Sequence, residues 1–299
     1  MRGDVAAAAV VLAVSAVLSI LVAAYTPTSG GGGEGTRGLL VVVTFPDLVS
    51  DVKQLLCPGD RVVSLVPPGV DPHEYQLTPS DAALAERASL VVSTGHAPFE
   101  VRLRSIVPMD RLVEIPRIPG IVLLRNPDTG QPNLHMPIYD PENYVKFITY
   151  LAKRLAQLNP RCGDTYLAKA KRIAAEVKGL EERAPRLSAP AVGSLPPTQY
   201  AVEWLGLHER LLLVPEPGVA PTQSLLEEAR SLLRDGAVAV ILVDSRGEPL
   251  GKPDAALADM AKSLGSPIVK VPAPFTNGTI PSKLAYIEAQ VEKLTSGRG

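Results

Sequence analysis

The segment Asp164 to Arg183 carries the longest unbroken helical periodicity in the chain. About 20 residues at 1.5 Å each make a rod of ~30 Å, and Ala184-Pro-Arg-Leu-Ser-Ala-Pro190 ends it. On either side, β-rich apolar runs alternate with helical patterns. Before it come strands at Leu39–Phe45, Arg61–Val66 and Leu90–Ser93, with helices at Pro46–Leu56, Pro79–Arg87 and Pro141–Leu158. Pro141 occupies a first-turn position, where its missing N–H costs nothing. After it come helices at Thr198–Leu205, Gln223–Arg234, Asp254–Leu264 and Pro281–Leu294. Strands at Arg210–Val214, Val238–Val243 and Ile268–Val271 lie between them. This order predicts an α/β fold of two lobes, each a parallel sheet flanked by helices, joined by one long backbone helix. The expected division is an N-terminal lobe over 38–163, a linking helix over 164–184 and a C-terminal lobe over 185–299. Ligands of such sheets bind beyond the carboxyl ends of the strands, so the facing strand-end loops should form a cleft.

The N-terminus predicts the compartment. Val5 to Tyr25 is an unbroken apolar stretch following Arg2 and Asp4. A spanning helix needs ~20 residues and a cleaved signal core ~7–15, so residues 1–25 read as an uncleaved signal anchor. Cleavage near Val22-Ala-Ala-Tyr25 is the alternative, which would make the protein secreted. No cysteine follows the apolar run, which argues against a bacterial-type lipid anchor. Residues 26–37, rich in glycine, read as a flexible tether. The globular part therefore begins near Gly38, outside the cytoplasmic membrane.

A net charge of −1 argues against nucleic acid as a partner. An exported chain with 2 cysteines can bridge Cys57 to Cys162 or bury them as separate thiols, and both readings stand. Asn277-Gly-Thr279 is a glycosylation sequon.

Of the 4 histidines, three stand in loops after first-lobe strands or before that lobe's last helix. His73 lies in Val66-Pro-Pro-Gly-Val-Asp-Pro-His-Glu-Tyr75, where prolines fix φ and reduce the entropy lost when a ligand is held. His96 lies in Thr94-Gly-His-Ala-Pro-Phe-Glu100, and His135 in Asn133-Leu-His-Met-Pro-Ile-Tyr-Asp140. Neutral imidazole is the commonest ligand of borderline metals such as Zn2+. Scattered polar loop residues are the plainer alternative. His208, between a predicted helix and strand, reads as surface.

The run VPPGVDPHEYQLTPSDAALAERASLVVSTG, then LHMPIYDPENY, then a long helix and a second lobe, resembles the metal-binding solute receptors of ABC importers. These are the cluster A-I family of zinc and manganese receptors. His135-Met-Pro-Ile-Tyr-Asp140-Pro141 is similar to that family's His-x-x-x-Asp-Pro pattern with one residue more. Glu216 to Ser224 resembles its second-lobe turn. The resemblance implies a monomeric, non-enzymatic receptor that captures Zn2+ or Mn2+ as transported ligand and delivers it to an ABC permease. It also implies that His73 and His135 are the first-lobe ligands.

The sequence departs from the family at both second-lobe ligand positions. Leu195 stands where the third ligand is expected, and the last strand-end loop, around Phe275, holds no carboxylate. Two imidazoles leave a divalent ion underligated. His96 with water or a second-lobe oxygen completes the preferred set. Gln199, Glu216 or Asp244 could contribute instead, or the ligand could be a chelated metal. A degenerate receptor acting as an adhesin or binding an organic solute is one alternative. A metal-dependent hydrolase is the other, although no HExxH motif or nucleophile constellation appears. Asp140 reads as the cap of the helix at Pro141 and Trp204 as core.

Overall fold

The computed structural model describes residues 38–68, 70, 75–216 and 218–296. The signal anchor, the tether, His73 and Glu74 lie outside the described residues. In chain order the first sheet contains β1 (Leu40–Val43), β2 (Arg61–Ser64), β3 (Leu90–Ser93) and β4 (Leu112–Glu114). Its helices are α1 (Asp47–Leu55), α2 (Pro79–Arg87), α3 (Pro98–Leu103) and α4 (Pro141–Leu158). The long helix α5 (Gly163–Arg183) follows. The second sheet contains β5 (Ala189–Gly193), β6 (Leu207–Leu212), β7 (Val238–Val243) and β8 (Ile268–Pro272). Its helices are α6 (Pro197–Glu203), α7 (Gln223–Arg234), α8 (Lys252–Leu264) and α9 (Ile280–Ser296). Both sheets are fully parallel, in the orders β2-β1-β3-β4 and β6-β5-β7-β8.

The two-residue period of the strands divides the interior into an inner core and two outer cores. Val41, Val43 and Val92 of the first sheet share one core with Val238, Val240 and Val271 of the second. Tyr166, Ile173 and Val177 of α5 lie in the same core, as do residues of α1, α4, α6 and α9. The intervening Val42 and Val91 pack outward on α2 and α3, and Ile241 and Ala239 pack outward on α7 and α8. Helices therefore cover both faces of each sheet, which is why the central strands read as continuous apolar runs.

The pairing of Cys57 with Cys162, left open by the sequence, is a disulfide with Cα atoms 6.4 Å apart. It ties the end of α1 to the turn between α4 and α5. Asp140 caps α4, its Oδ1 accepting from the Asn143 amide at 2.8 Å. Trp204 is buried in the inner core.

Strands β4 and β5 and the short helix α3 escape the sequence pattern, and strand β6 is displaced from its expected bounds. Strand β4 is short, is flanked by Arg111 and Pro116, and has Glu114 breaking its apolar run. Strand β6 begins at Leu207, ahead of the expected Arg210, because its polar residues conceal it. His208 is therefore within a strand; it faces solvent, 2.8 Å from Glu203 Oε1. Glu209 points inward and is buried. Gly193 must lack a side chain here, since a Cβ would stand 2.5 Å from both Glu209 Oε2 and Thr198 Oγ1. Burial pushes this carboxyl well above its ordinary range, and the neighbouring Thr198 hydroxyl only partly opposes the shift.

Candidate metal centre

His96 and His135 meet. Their ring centroids are 4.6 Å apart with planes inclined at 60°, although 39 positions separate them in the chain. His96 follows β3, where Gly95 adopts φ +79° and turns the loop, a conformation that costs other residues energy. His135 precedes Met136, the sole non-glycine residue with positive φ among those described, at 53°. That backbone strain falls beside a candidate ligand, in keeping with its concentration at functional sites.

The His96 loop is organised by one buried carboxylate. Glu100 Oε1 accepts from Ser93 Oγ at 2.9 Å and from the Thr94 amide at 2.8 Å. Its Oε2 accepts from Thr94 Oγ1 at 2.8 Å, from the His96 amide at 2.9 Å and from the Ala97 amide at 3.0 Å. The Thr94 hydroxyl spends its single proton on Glu100, so toward His96 Nδ1, 3.1 Å away, it can act only as acceptor. A proton on Nδ1 is the arrangement that completes this contact, and it leaves the Nε2 lone pair for a ligand. A second-sphere acceptor on one ring nitrogen in this way directs the other toward a metal.

The second lobe brings no such group at the expected positions. Leu195 packs against the inner core and Phe275 is 56% exposed. Gln199 is committed elsewhere, donating to the Arg125 carbonyl and accepting from Asn133. Asp244 closes a turn by accepting from the amides of Arg246 and Glu248, and Glu216 is exposed. Among the described residues no group of three or more His, Cys, Asp or Glu is arranged to hold a metal. The described part of the preferred set is thus the pair His96 and His135.

Close to these loops lies a buried charge cluster between the lobes. Asp51 Oδ1 accepts from Tyr144 Oη at 2.5 Å and from the Ile280 amide at 3.0 Å, capping α9 from the opposite lobe. Lys283, one turn into α9, donates to the Ala273 and Pro274 carbonyls of the last strand-end loop. Burial pushes Asp47 and Asp51 up from 3.8 to about 6, while Lys283 draws both back down. Burial also lowers Lys283, and the two carboxylates oppose that shift. Asp47 Oδ1 and Asp51 Oδ2 have no hydrogen-bond partner.

Thr94, Glu100 and Asn133 are the residues that sequence reasoning missed. A signal for two of them was present. Thr94-Gly-His96 and Asn133-Leu-His135 each place a side-chain oxygen two residues before the imidazole, and Asp71-Pro-His73 repeats the spacing outside the described residues. His208, with Gly206 at that position, lacks it.

The family model described as "Zinc-uptake complex component A periplasmic" matches residues 41–295. The iron-binding protein YfeA of Yersinia pestis is 30% identical over 157 residues, 50% of each chain. The manganese-binding lipoprotein MntA of Halalkalibacterium halodurans is 25% identical over 167 residues, covering 56% of this chain and 55% of that one. The chain spans about half the length of these curated relatives in the matched regions. Among solved structures, FpvC of Pseudomonas aeruginosa in complex with Mn2+ has a TM-score of 0.70 at 19% identity, covering 88% of this chain and 100% of that one. The laminin-binding protein Lmb of Streptococcus agalactiae has a TM-score of 0.66 at 21% identity, covering 87% and 99%. At such identities these structures establish the two-lobed fold and nothing finer.

Proposed function

The chain belongs to the family of periplasmic zinc-uptake complex component A proteins, and from that premise we propose that it is a metal receptor, not an enzyme, serving an ABC importer. It works as a monomer outside the cytoplasmic membrane, held there by the apolar segment 1–25. Its cargo is a divalent ion, Zn2+ or Mn2+, which it delivers to a membrane permease. The observation that carries this reading is the 4.6 Å approach of the His96 and His135 rings beyond the strand ends of the first sheet.

His73, His96 and His135 form the proposed ligand set. With Leu195 and Phe275 at the usual second-lobe positions, water or a second-lobe oxygen fills the remaining coordination. Three neutral nitrogen ligands with one open position suit Zn2+, whereas Mn2+ prefers more oxygen, so Zn2+ is the better match. Imidazole must be deprotonated to bind, so capture releases protons and weakens below about pH 6. The test is calorimetric titration of the protein with Zn2+ and with Mn2+, alongside His73→Ala, His96→Ala and His135→Ala. Binding tighter than micromolar that each substitution weakens supports the reading. Absence of binding in the unaltered protein removes it.

A further inference from the structure

The second lobe lacks ligands at the expected positions, yet it holds the residue that orients one. Asn133 is almost fully buried and every polar atom it has is engaged. Its amide donates to the Leu124 carbonyl at 2.8 Å, and its carbonyl accepts from Tyr200 Oη at 2.6 Å. Its Nδ2 donates to the Pro196 carbonyl at 2.8 Å and to Gln199 Oε1 at 2.9 Å. Its Oδ1 accepts from the His135 amide at 3.0 Å and lies 3.3 Å from His135 Nδ1.

These contacts decide which end of the amide is which. A carbonyl cannot donate, so the atom facing Pro196 must be the amino nitrogen. Gln199 Nε2 donates to the Arg125 carbonyl at 2.8 Å, leaving its Oε1 to accept from Asn133, and the two assignments agree. The Asn133 atom facing His135 is therefore an oxygen, so Nδ1 bears the imidazole proton and Nε2 the lone pair. Pro196, Gln199 and Tyr200 all belong to the first turn of α6 in the second lobe or the residue before it.

We propose that Asn133 is the positioning residue through which the second lobe sets the metal-ligating tautomer of His135. The corresponding brace on His96, Thr94 with Glu100, lies wholly within the first lobe. The Thr94 brace on His96 does not run through α6, whereas the Asn133 brace on His135 does. Separation of the lobes at α6 frees the Asn133 side chain and loosens one ligand, a built-in route to metal release. This rests on the receptor reading only for its consequence, since the tautomer can be measured without metal.

The experiment is 15N-resolved NMR of the histidine rings in the metal-free protein, paired with Zn2+ titration. His135 is expected to show Nδ1–H in the wild type. Asn133→Ala should shift it toward Nε2–H and weaken Zn2+ binding about 10–100-fold. Asn133→Asp keeps an oxygen toward His135 and should preserve Nδ1–H, although it sets a carboxylate oxygen against the Pro196 carbonyl and Gln199 Oε1 and so should also weaken Zn2+ binding. A purely structural role, carried by the amino group, would make Asp shift the His135 tautomer as far as Ala does. Gln199→Leu, which leaves His135 untouched, should perturb the His135 signals and spare those of His96. The proposal is overturned by Nε2–H on His135 in the wild type, by equal effects of Ala and Asp on the His135 tautomer, or by unchanged His135 signals in Gln199→Leu. A wild-type protein that shows Nδ1–H but binds no metal removes the receptor reading alone.

Discussion

The carboxyl ends of the two sheets are built alike and equipped differently. Both sheets are parallel, with the same strand order relative to the chain. At the first, imidazoles follow the strands and each described one has an oxygen acceptor at Nδ1. At the second, the matching loops present Leu195, Phe275 and backbone carbonyls, with Lys283 clasping two of those carbonyls. Equivalent topology thus supports a division of labour, in which one lobe carries the candidate ligands and the other braces them. A fold determines where a site can stand, and the residues at strand ends decide what it does.

The division also shows in how each lobe is braced. The first lobe alone among the described residues has a disulfide, which closes a loop across a sequence separation of 105. A loop near 100 residues stabilises by about 4.7 kcal/mol in the chain-entropy account. Replacing both cysteines by serine should therefore give the largest loss of stability, read as the fall in melting temperature. Unchanged melting would mean that the binding lobe does not rely on this brace.

The inter-lobe lysine comes next. Removing one partner from a buried ionic cluster leaves uncompensated charge, a loss of about 3–5 kcal/mol. Lys283→Met should approach that loss at pH 7 and come closer to the wild type near pH 5, where Asp47 and Asp51 take up protons. A loss of the same size at both pH values would show that Lys283 acts through packing and its carbonyl contacts alone.

The sharpest break of the comparison is at the ligands themselves. His96→Ala should weaken Zn2+ binding more than the about 10–100-fold expected for an orienting residue, whereas Leu195→Ala should change it by less than about threefold. Equal losses at the two positions would erase the distinction between the lobes. A loss at His96 with none at His135 would show that the two rings do not share one ion.

Much of this was legible in the chain. The helices at Pro79–Arg87, Pro141–Leu158 and Gln223–Arg234 begin and end where caps and prolines signal them. The buried strands Leu90–Ser93 and Val238–Val243 show as apolar runs. Strand β6 was legible but its start was misplaced, because its period is masked by His208, Glu209 and Arg210, and a register shift lies opposite it between Ala191 and Val192. At the site, the histidines announce themselves by residue type and loop position. Of their orienting partners, Thr94 and Asn133 are signalled by the two-residue spacing, but Glu100, which acts through Thr94, and the hold of Pro196 and Gln199 on Asn133, more than 60 positions away, are not. Long-range contacts with backbone carbonyls leave no residue-type signature.

The smallest predicted effect tests, by pH, the charge balance of the buried cluster between the lobes. Asp47, entirely buried, has its carboxyl raised from 3.8 to about 6, chiefly by desolvation. Between about pH 4 and 6 the folded chain binds more protons at this position than the unfolded chain does. The stability it contributes is full below about pH 4 and is lost as pH rises through about 6. Other carboxylates act in the opposite sense; Asp81, held low by its bonds to Thr78 and Tyr75, is one. The informative quantity is therefore the difference between the wild type and Asp47→Asn. Asparagine is uncharged at every pH, so the variant should gain on the wild type by about 2 kcal/mol as pH rises from 4 to 7. Thermal melts across that range read the gain directly. If the variant instead falls further behind toward neutrality, the Asp47 carboxylate is a needed partner of Lys283, and the lobes are held together by charge as well as by the bonds around Asn133.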